Sequence, residues 1–165
     1  MKKFELTSEF VTFLGKKLFR IKALISFGNV KEGELGGYVE KEENLDQSGD
    51  AWVYGNARVY GNAWVSGDAE VYGNAWVSGN AEVSGNAEVS GDADYATVHG
   101  FGSEYRTTTF FRTKAGDIGV RCGCFYGTLD DFRKKVKETH GDSKTAKEYL
   151  MVADLMEFRF SEEEV

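Results

Sequence analysis

The sequence predicts a mainly β protein built round a short parallel β-helix, and three observations carry that prediction. From Ala51 the chain repeats every six residues, for seven consecutive copies. Each copy places Ala and Val two apart around a variable residue, and each ends in a Gly-Asn or Gly-Asp pair leading into another Ala. A unit this short cannot bury an apolar face alone, so successive units must stack on one another.

On an extended segment, residues two apart share a face. Ala and Val therefore point inward, and the residue between them points out: Trp52, Arg58, Trp64, Glu70, Trp76, Glu82, Glu88 and, after Ala93, Asp94. Glycine then turns the corner, because it reaches positive φ freely, and the Asn or Asp after it tolerates the bend. This pattern resembles the hexapeptide repeat of left-handed parallel β-helices, whose triangular coil takes three hexads. That resemblance implies a left-handed helix of about three coils. Corner residues Asp50, Asp68 and Asn86 then share one column, and Asn56, Asn74 and Asp92 another. Such columns read as structural ladders. A calcium reading of them is weaker, because calcium-binding rolls repeat every nine residues rather than every six. Counting back in register puts Val39 and Leu45 at Ala-type positions, and the pattern falters at Tyr95 and His99.

Both ends of such a helix need covers. Phe10–Phe13 and Leu18–Leu24 flank Leu14-Gly15-Lys16-Lys17, which predicts a β-hairpin cap over residues 1–38. The β-helix is expected over 39–104. Beyond it, Thr107–Thr113 and Ile118–Phe125 read as two strands, and Thr128 with Asp131 as the capping pair of a helix bearing Leu129, Phe132 and Val136. Gly141 ends that helix, and Asp142 or Ser143 starts a second one carrying Ala146, Tyr149, Leu150, Ala153 and Met156. Residues 105–165 are thus expected to form a small ββαα module.

Composition removes several functions. A formal charge of −7 repels nucleic acid, so direct binding to DNA or RNA is not expected. No run of eighteen apolar residues occurs, and Met1-Lys2-Lys3 leads into polar sequence where a signal peptide needs an apolar core. The expectation is a cytoplasmic protein with no membrane association. The two cysteines, Cys122 and Cys124, would share one face of a strand as reduced thiols.

Leu35-Gly-Gly-Tyr-Val39, the Gly-Asn-Ala rungs, Phe101-Gly-Ser, Arg106-Thr-Thr-Thr109, Cys122-Gly-Cys-Phe125, Gly127-Thr-Leu-Asp-Asp-Phe132 and Glu138-Thr-His-Gly141 together resemble a family of small hexapeptide-repeat proteins encoded by tailed phages and prophages. The resemblance spans nearly the whole chain. It implies a phage accessory protein of the host cell cytosol.

Many hexapeptide-repeat proteins transfer acyl groups from CoA with a catalytic histidine, and this chain offers only His99 and His140. His99 stands where other rungs place Ala, which suits a structural role better than a general base. A three-histidine zinc site of the γ carbonic anhydrase type is excluded by the same count. Cys122 and Cys124 with a histidine could ligate zinc, but the motif lacks a second matching pair. No catalytic residue, metal or cofactor is therefore assigned.

Binding is the stronger expectation. Outward indoles are rare on a water-facing scaffold, so Trp52, Arg58, Trp64 and Trp76, with Tyr54 and Tyr72 near a corner, read as an interface. That interface would serve a homo-oligomer, a trimer by likeness to the hexapeptide class, or a foreign partner. Ser103, Tyr105, Arg106, Thr107 and Thr108 read as a ligand site for a nucleotide: Arg106 to pair phosphate, Tyr105 to stack a base, the hydroxyls to bond ribose or phosphate oxygens. The expected function is counter-defence, a non-enzymatic protein sequestering a nucleotide immune signal between subunits. Alternatives are an inhibitor that plugs a host defence protein with an acidic, aromatic face, an acyltransferase, and a structural or assembly protein of the virion.

Overall fold

A computed structural model describes residues 2–102 and 104–161. Strands β1 (Phe4–Phe13) and β2 (Lys16–Ala23) form an antiparallel hairpin. Leu14 and Gly15 turn it with φ of 53° and 77°, the doubly positive geometry that matches strand twist. Strand β3 (Leu35–Val39) lies beside β2. Seven two-residue strands follow: β4 (Trp52–Val53), β5 (Arg58–Val59), β6 (Trp64–Val65), β7 (Glu70–Val71), β8 (Trp76–Val77), β9 (Glu82–Val83) and β10 (Glu88–Val89).

These short strands pair in parallel with partners eighteen residues away, Trp52 with Glu70 and Glu70 with Glu88, Arg58 with Trp76, and Trp64 with Glu82. Three columns result, β4-β7-β10, β3-β5-β8 and β6-β9, with the hairpin extending the second beyond its first rung. Every rung buries its Ala and Val to 1% exposure or less. The corner glycines from Gly49 to Gly85 hold φ between 60° and 71°. At Gly67 there is a second reason for glycine, since a Cβ would stand 2.8 Å from the Gly85 backbone nitrogen. An amide ladder bond joins Asn62 to Asn80 at 3.3 Å.

Three expectations need correction. Val39 aligns with Val59, and Leu45 bridges Val65, so both occupy Val-type rather than Ala-type positions. Their partners are twenty residues on, which puts two extra residues ahead of Ala51; Asp46, Gln47 and Ser48 bulge there, with Ser48 bonded to Asp46. Trp52 is not solvent-facing but fully buried. The hairpin cap and the loop after it fold over it, Phe27 and Phe4 meeting the indole edge-on at 5.3 and 6.2 Å. The Lys3 amine enters the same end and donates to the carbonyls of Ala51 at 2.8 Å and Gly49 at 3.3 Å.

The third correction concerns the far end. Four strands, not two, precede the helices: β11 (Tyr95–Phe101), β12 (Arg106–Arg112), β13 (Ile118–Cys122) and β14 (Phe125–Thr128), an antiparallel meander in that order. What reads as a failing rung at Tyr95 is the first strand of this sheet, and the stretch from Ile118 to Phe125 is folded in two at Gly123, which has φ of 57°. Helix α1 (Leu129–His140) is capped by Thr128 and Asp131, each accepting the other's backbone N–H. Helix α2 (Lys144–Phe160) is capped by Ser143.

The meander divides two cores. Phe111 belongs to the core of the stacked rungs, while its neighbour Phe110 belongs to the core under the helices. Alternation along β12 therefore seals the open end of the stack with one face and seats the helices with the other. Main-chain links fix the joint: Glu82 donates to the Thr109 hydroxyl at 3.0 Å, and Lys114 to the Asn86 carbonyl at 3.0 Å. Lys114 pairs with Glu70 at 3.1 Å and Arg121 with Glu82 at 3.3 Å, so the meander neutralises part of the acidic surface of the rungs. Among the described residues no helix is long and apolar enough to cross a membrane.

Candidate functional site

The most chemically varied concavity lies where the hairpin turn of β13 and β14 meets the two helices. It is a cleft of about 300 Å³ lined by Glu104, Arg106, Cys122, Cys124, Phe125, Phe132, Lys135, Val136, Thr139, His140 and Tyr149. Strand β12 supplies Arg106 at its first residue. Helix α1 supplies the pairs Lys135 with Thr139 and Val136 with His140, each one turn apart on one face. Buried Phe132 and Tyr149 form the floor, their rings edge-to-face at 5.5 Å, with Phe125 tilted against Phe132 at 5.9 Å and His140 over Tyr149 at 6.0 Å.

Arg106 lies directly over Gly123, where an added Cβ would meet Nη1 at 1.8 Å. Glycine is thus required twice there, for its positive φ and for the guanidinium above it. Glu104 bonds the same guanidinium and holds its pKa above the ordinary value. The Cys122 thiol accepts from the Thr108 hydroxyl at 3.2 Å. Tyr149 donates to the Phe101 carbonyl at 3.2 Å; burial, then the charge and contact of Cys122, push its hydroxyl up to about 12. Arg106, Lys135 and His140 thus gather cationic or proton-donating groups on an aromatic floor, in a chain whose net charge is −7.

The residues read from sequence as a ligand site do not converge. Ser103 lies outside the described residues. Tyr105 is 69% exposed at φ 53° and does not line the cleft. Thr107 is bonded to His99 Nδ1 at 2.8 Å on the other face of β12, and Thr108 is fully buried. Of the four that are described, Arg106 alone lines the cleft. Its companions Cys122, Cys124, Lys135, Thr139, His140 and Tyr149 were not assigned to a ligand site from sequence, although the helical spacing of Lys135 and Thr139 and the Cys-Gly-Cys turn were visible there.

The expected interface also separates. Trp52 is interior. Arg58 stacks between Phe13 at 4.8 Å and Trp76 at 5.7 Å. Trp64 is half-buried with Arg121 over it at 5.6 Å, Tyr54 leans on the rung core, and the Tyr72 hydroxyl donates to Glu88 at 2.8 Å. Trp76, 41% exposed, is the most open of the three indoles. His99 sits on β11, away from the cleft. Cys122 and Cys124 are free thiols, the first half-buried at the end of β13 and the second exposed in the turn, so they do not share a strand face. Among the described residues, no three His, Cys, Asp or Glu side chains are placed to hold a metal ion.

Residues 51–67 match a family model described as the YdcK beta solenoid repeat. With the parallel pairing at eighteen-residue intervals, this supports a β-solenoid repeat protein. No curated protein matches the chain.

Proposed function

We propose that this chain is a non-enzymatic binding protein, in which a rigid left-handed solenoid carries the C-terminal cleft and the cleft takes a small anionic ligand of nucleotide type. The observation that carries this reading is the gathering of Arg106, Lys135 and His140 above the Phe125, Phe132 and Tyr149 rings. A phosphate would take the place of Glu104 on the Arg106 guanidinium, bidentately, with Lys135 as a second cation. A flat base would lie against the aromatic wall. A volume of about 300 Å³ stands at the small end of ligand pockets and suits a single nucleotide unit. In the setting of a phage accessory protein, capture without turnover amounts to sequestering a host immune signal.

Calorimetry with nucleoside monophosphates, cyclic mono- and dinucleotides and ADP-ribose tests this. Binding to one of them, weakened about tenfold or more by Arg106→Gln, is expected for a lost charge-assisted pair. Absence of heat with the whole panel, or heat indifferent to Arg106→Gln, would refute the site.

A homo-oligomer fits the same reading, and one observation favours its interface. Met151, Leu155 and Phe158 on α2 are 71%, 57% and 62% exposed. They form an apolar seam at i, i+4 and i+7 of the kind that packs against an identical helix about a two-fold axis. Sedimentation of wild type against Leu155→Lys distinguishes this dimer from a trimer built on the solenoid sides, which the substitution would leave intact.

A further inference from the structure

We propose that Cys122-Gly123-Cys124 is a dithiol site that exchanges with small disulfides of the glutathione class. The proposal does not depend on the nucleotide reading. Both cysteines line one cleft, Cys124 exposed in the turn and Cys122 half-buried at the end of β13. A cysteine that merely fills a core is surrounded by apolar atoms. Cys122 instead accepts from the Thr108 hydroxyl at 3.2 Å and touches the Tyr149 hydroxyl. The Arg106 guanidinium is held over the glycine between the two thiols and interacts electrostatically with both. The thiolate is the attacking form in such an exchange, and the Arg106 guanidinium supplies a fixed cation beside it. Lys135 and His140 on the opposite wall give the carboxylates of a glutathione-type molecule their partners.

In the first step the Cys124 thiolate attacks one sulfur of the small disulfide. A bond forms between that sulfur and Cys124, the small disulfide's S–S bond breaks, and its other half leaves as a thiolate that takes a proton from water. In the second, the Cys122 thiolate attacks the Cys124 sulfur and expels the second small thiol. The protein dithiol loses two electrons and two protons in all, and the small disulfide becomes two thiols.

The test is incubation of the folded, reduced chain with oxidised glutathione near neutral pH, acid quenching, intact mass and peptide mapping. Wild type is expected to lose two hydrogens through a transient adduct on Cys124. Cys122→Ser should accumulate one glutathionyl group on Cys124, and Cys124→Ser should stay unmodified. Reaction should run at least roughly tenfold faster in the folded chain than in the same chain unfolded in urea, and Arg106→Gln should erase most of that advantage while Arg106→Lys restores part. A folded wild-type chain that reacts no faster than the unfolded one, or an adduct that forms first on Cys122, would overturn the proposal. Mapping of the quenched wild-type adduct needs no variant, so the outcome stands even if Cys122→Ser misfolds. Nucleotide calorimetry on Cys124→Ser reports separately on the ligand reading.

Discussion

Replacing Trp52 separates a covered from a solvent-exposed indole by a margin that cannot be missed. The side chain is fully buried, with Phe27 and Phe4 edge-on at 5.3 and 6.2 Å, and its Nε1 has no hydrogen-bond partner among the described residues. Burial of about 200 Å² of indole at about 25 cal/mol per Å² gives about 5 kcal/mol. The two edge contacts add about 1 kcal/mol each. Against this stands the desolvated N–H, a cost of about 2 kcal/mol that disappears with the ring. Alanine also keeps a little of the burial, so Trp52→Ala should destabilise by about 4 kcal/mol, within the range for aromatic truncations. Trp52→Phe loses about 1 kcal/mol of burial and removes the orphan donor, worth about 1 kcal/mol or more. It should lie within about 1 kcal/mol of wild type. Urea unfolding followed by circular dichroism gives both numbers as midpoint shifts at constant slope. A solvent-exposed Trp52 would instead make Trp52→Ala a surface change of about 0.5 kcal/mol or less, and that result would refute the packing described for the N-terminal end.

Three further outcomes follow from the same geometry. The Lys3 amine, 2% exposed, has its pKa lowered by burial from 10.5 to about 8; between those values the unfolded chain holds the extra proton, so stability should rise with pH across that window, by at most about 3 kcal/mol, and Lys3→Met should flatten the rise in a series of urea melts. Gly67→Ala should cost about 1 kcal/mol more than Gly55→Ala in the same assay: both residues hold positive φ, but only at Gly67 does the new methyl meet backbone, at 2.8 Å. Phe111→Ala should cost about 3–5 kcal/mol and, by loosening the lid of the stack, raise amide hydrogen exchange in β9 and β10 more than in α1; uniform exchange would contradict the separation of the two cores.

How far the sequence reading reached depended on how local the deciding interaction was. The inward Ala and Val, the corner glycines and both helix caps follow from short-range periodicity and backbone chemistry, and the residues carry those signals themselves. The exposure of Trp52 was misjudged because its position in the hexad is the outward one, and what covers it is the hairpin cap and the loop after it, up to 48 positions away. The register of Val39 and Leu45 was lost to two bulged residues near Gln47, which no hexad marks. Tyr95–Phe101 was hidden for a related reason: a strand with one half-buried face resembles a worn rung until its partner Arg106–Arg112 is beside it. The cleft shares that character. Arg106 was singled out, but Lys135, His140 and Tyr149 come to it only through the packing of two helices on the meander, a long-range event invisible to pattern.

Pairing at intervals of eighteen residues also makes the molecule a vernier. Chain inserted among the rungs in units of eighteen would lengthen the body by roughly 4.8 Å per unit and present the cleft at the same azimuth to the hairpin. Units of six would turn it by a third of a revolution and bring Phe111 over a different column. Distance and orientation between the two ends are thereby set by separate arithmetic, so descendants of such a chain can change its reach without disturbing what either end holds.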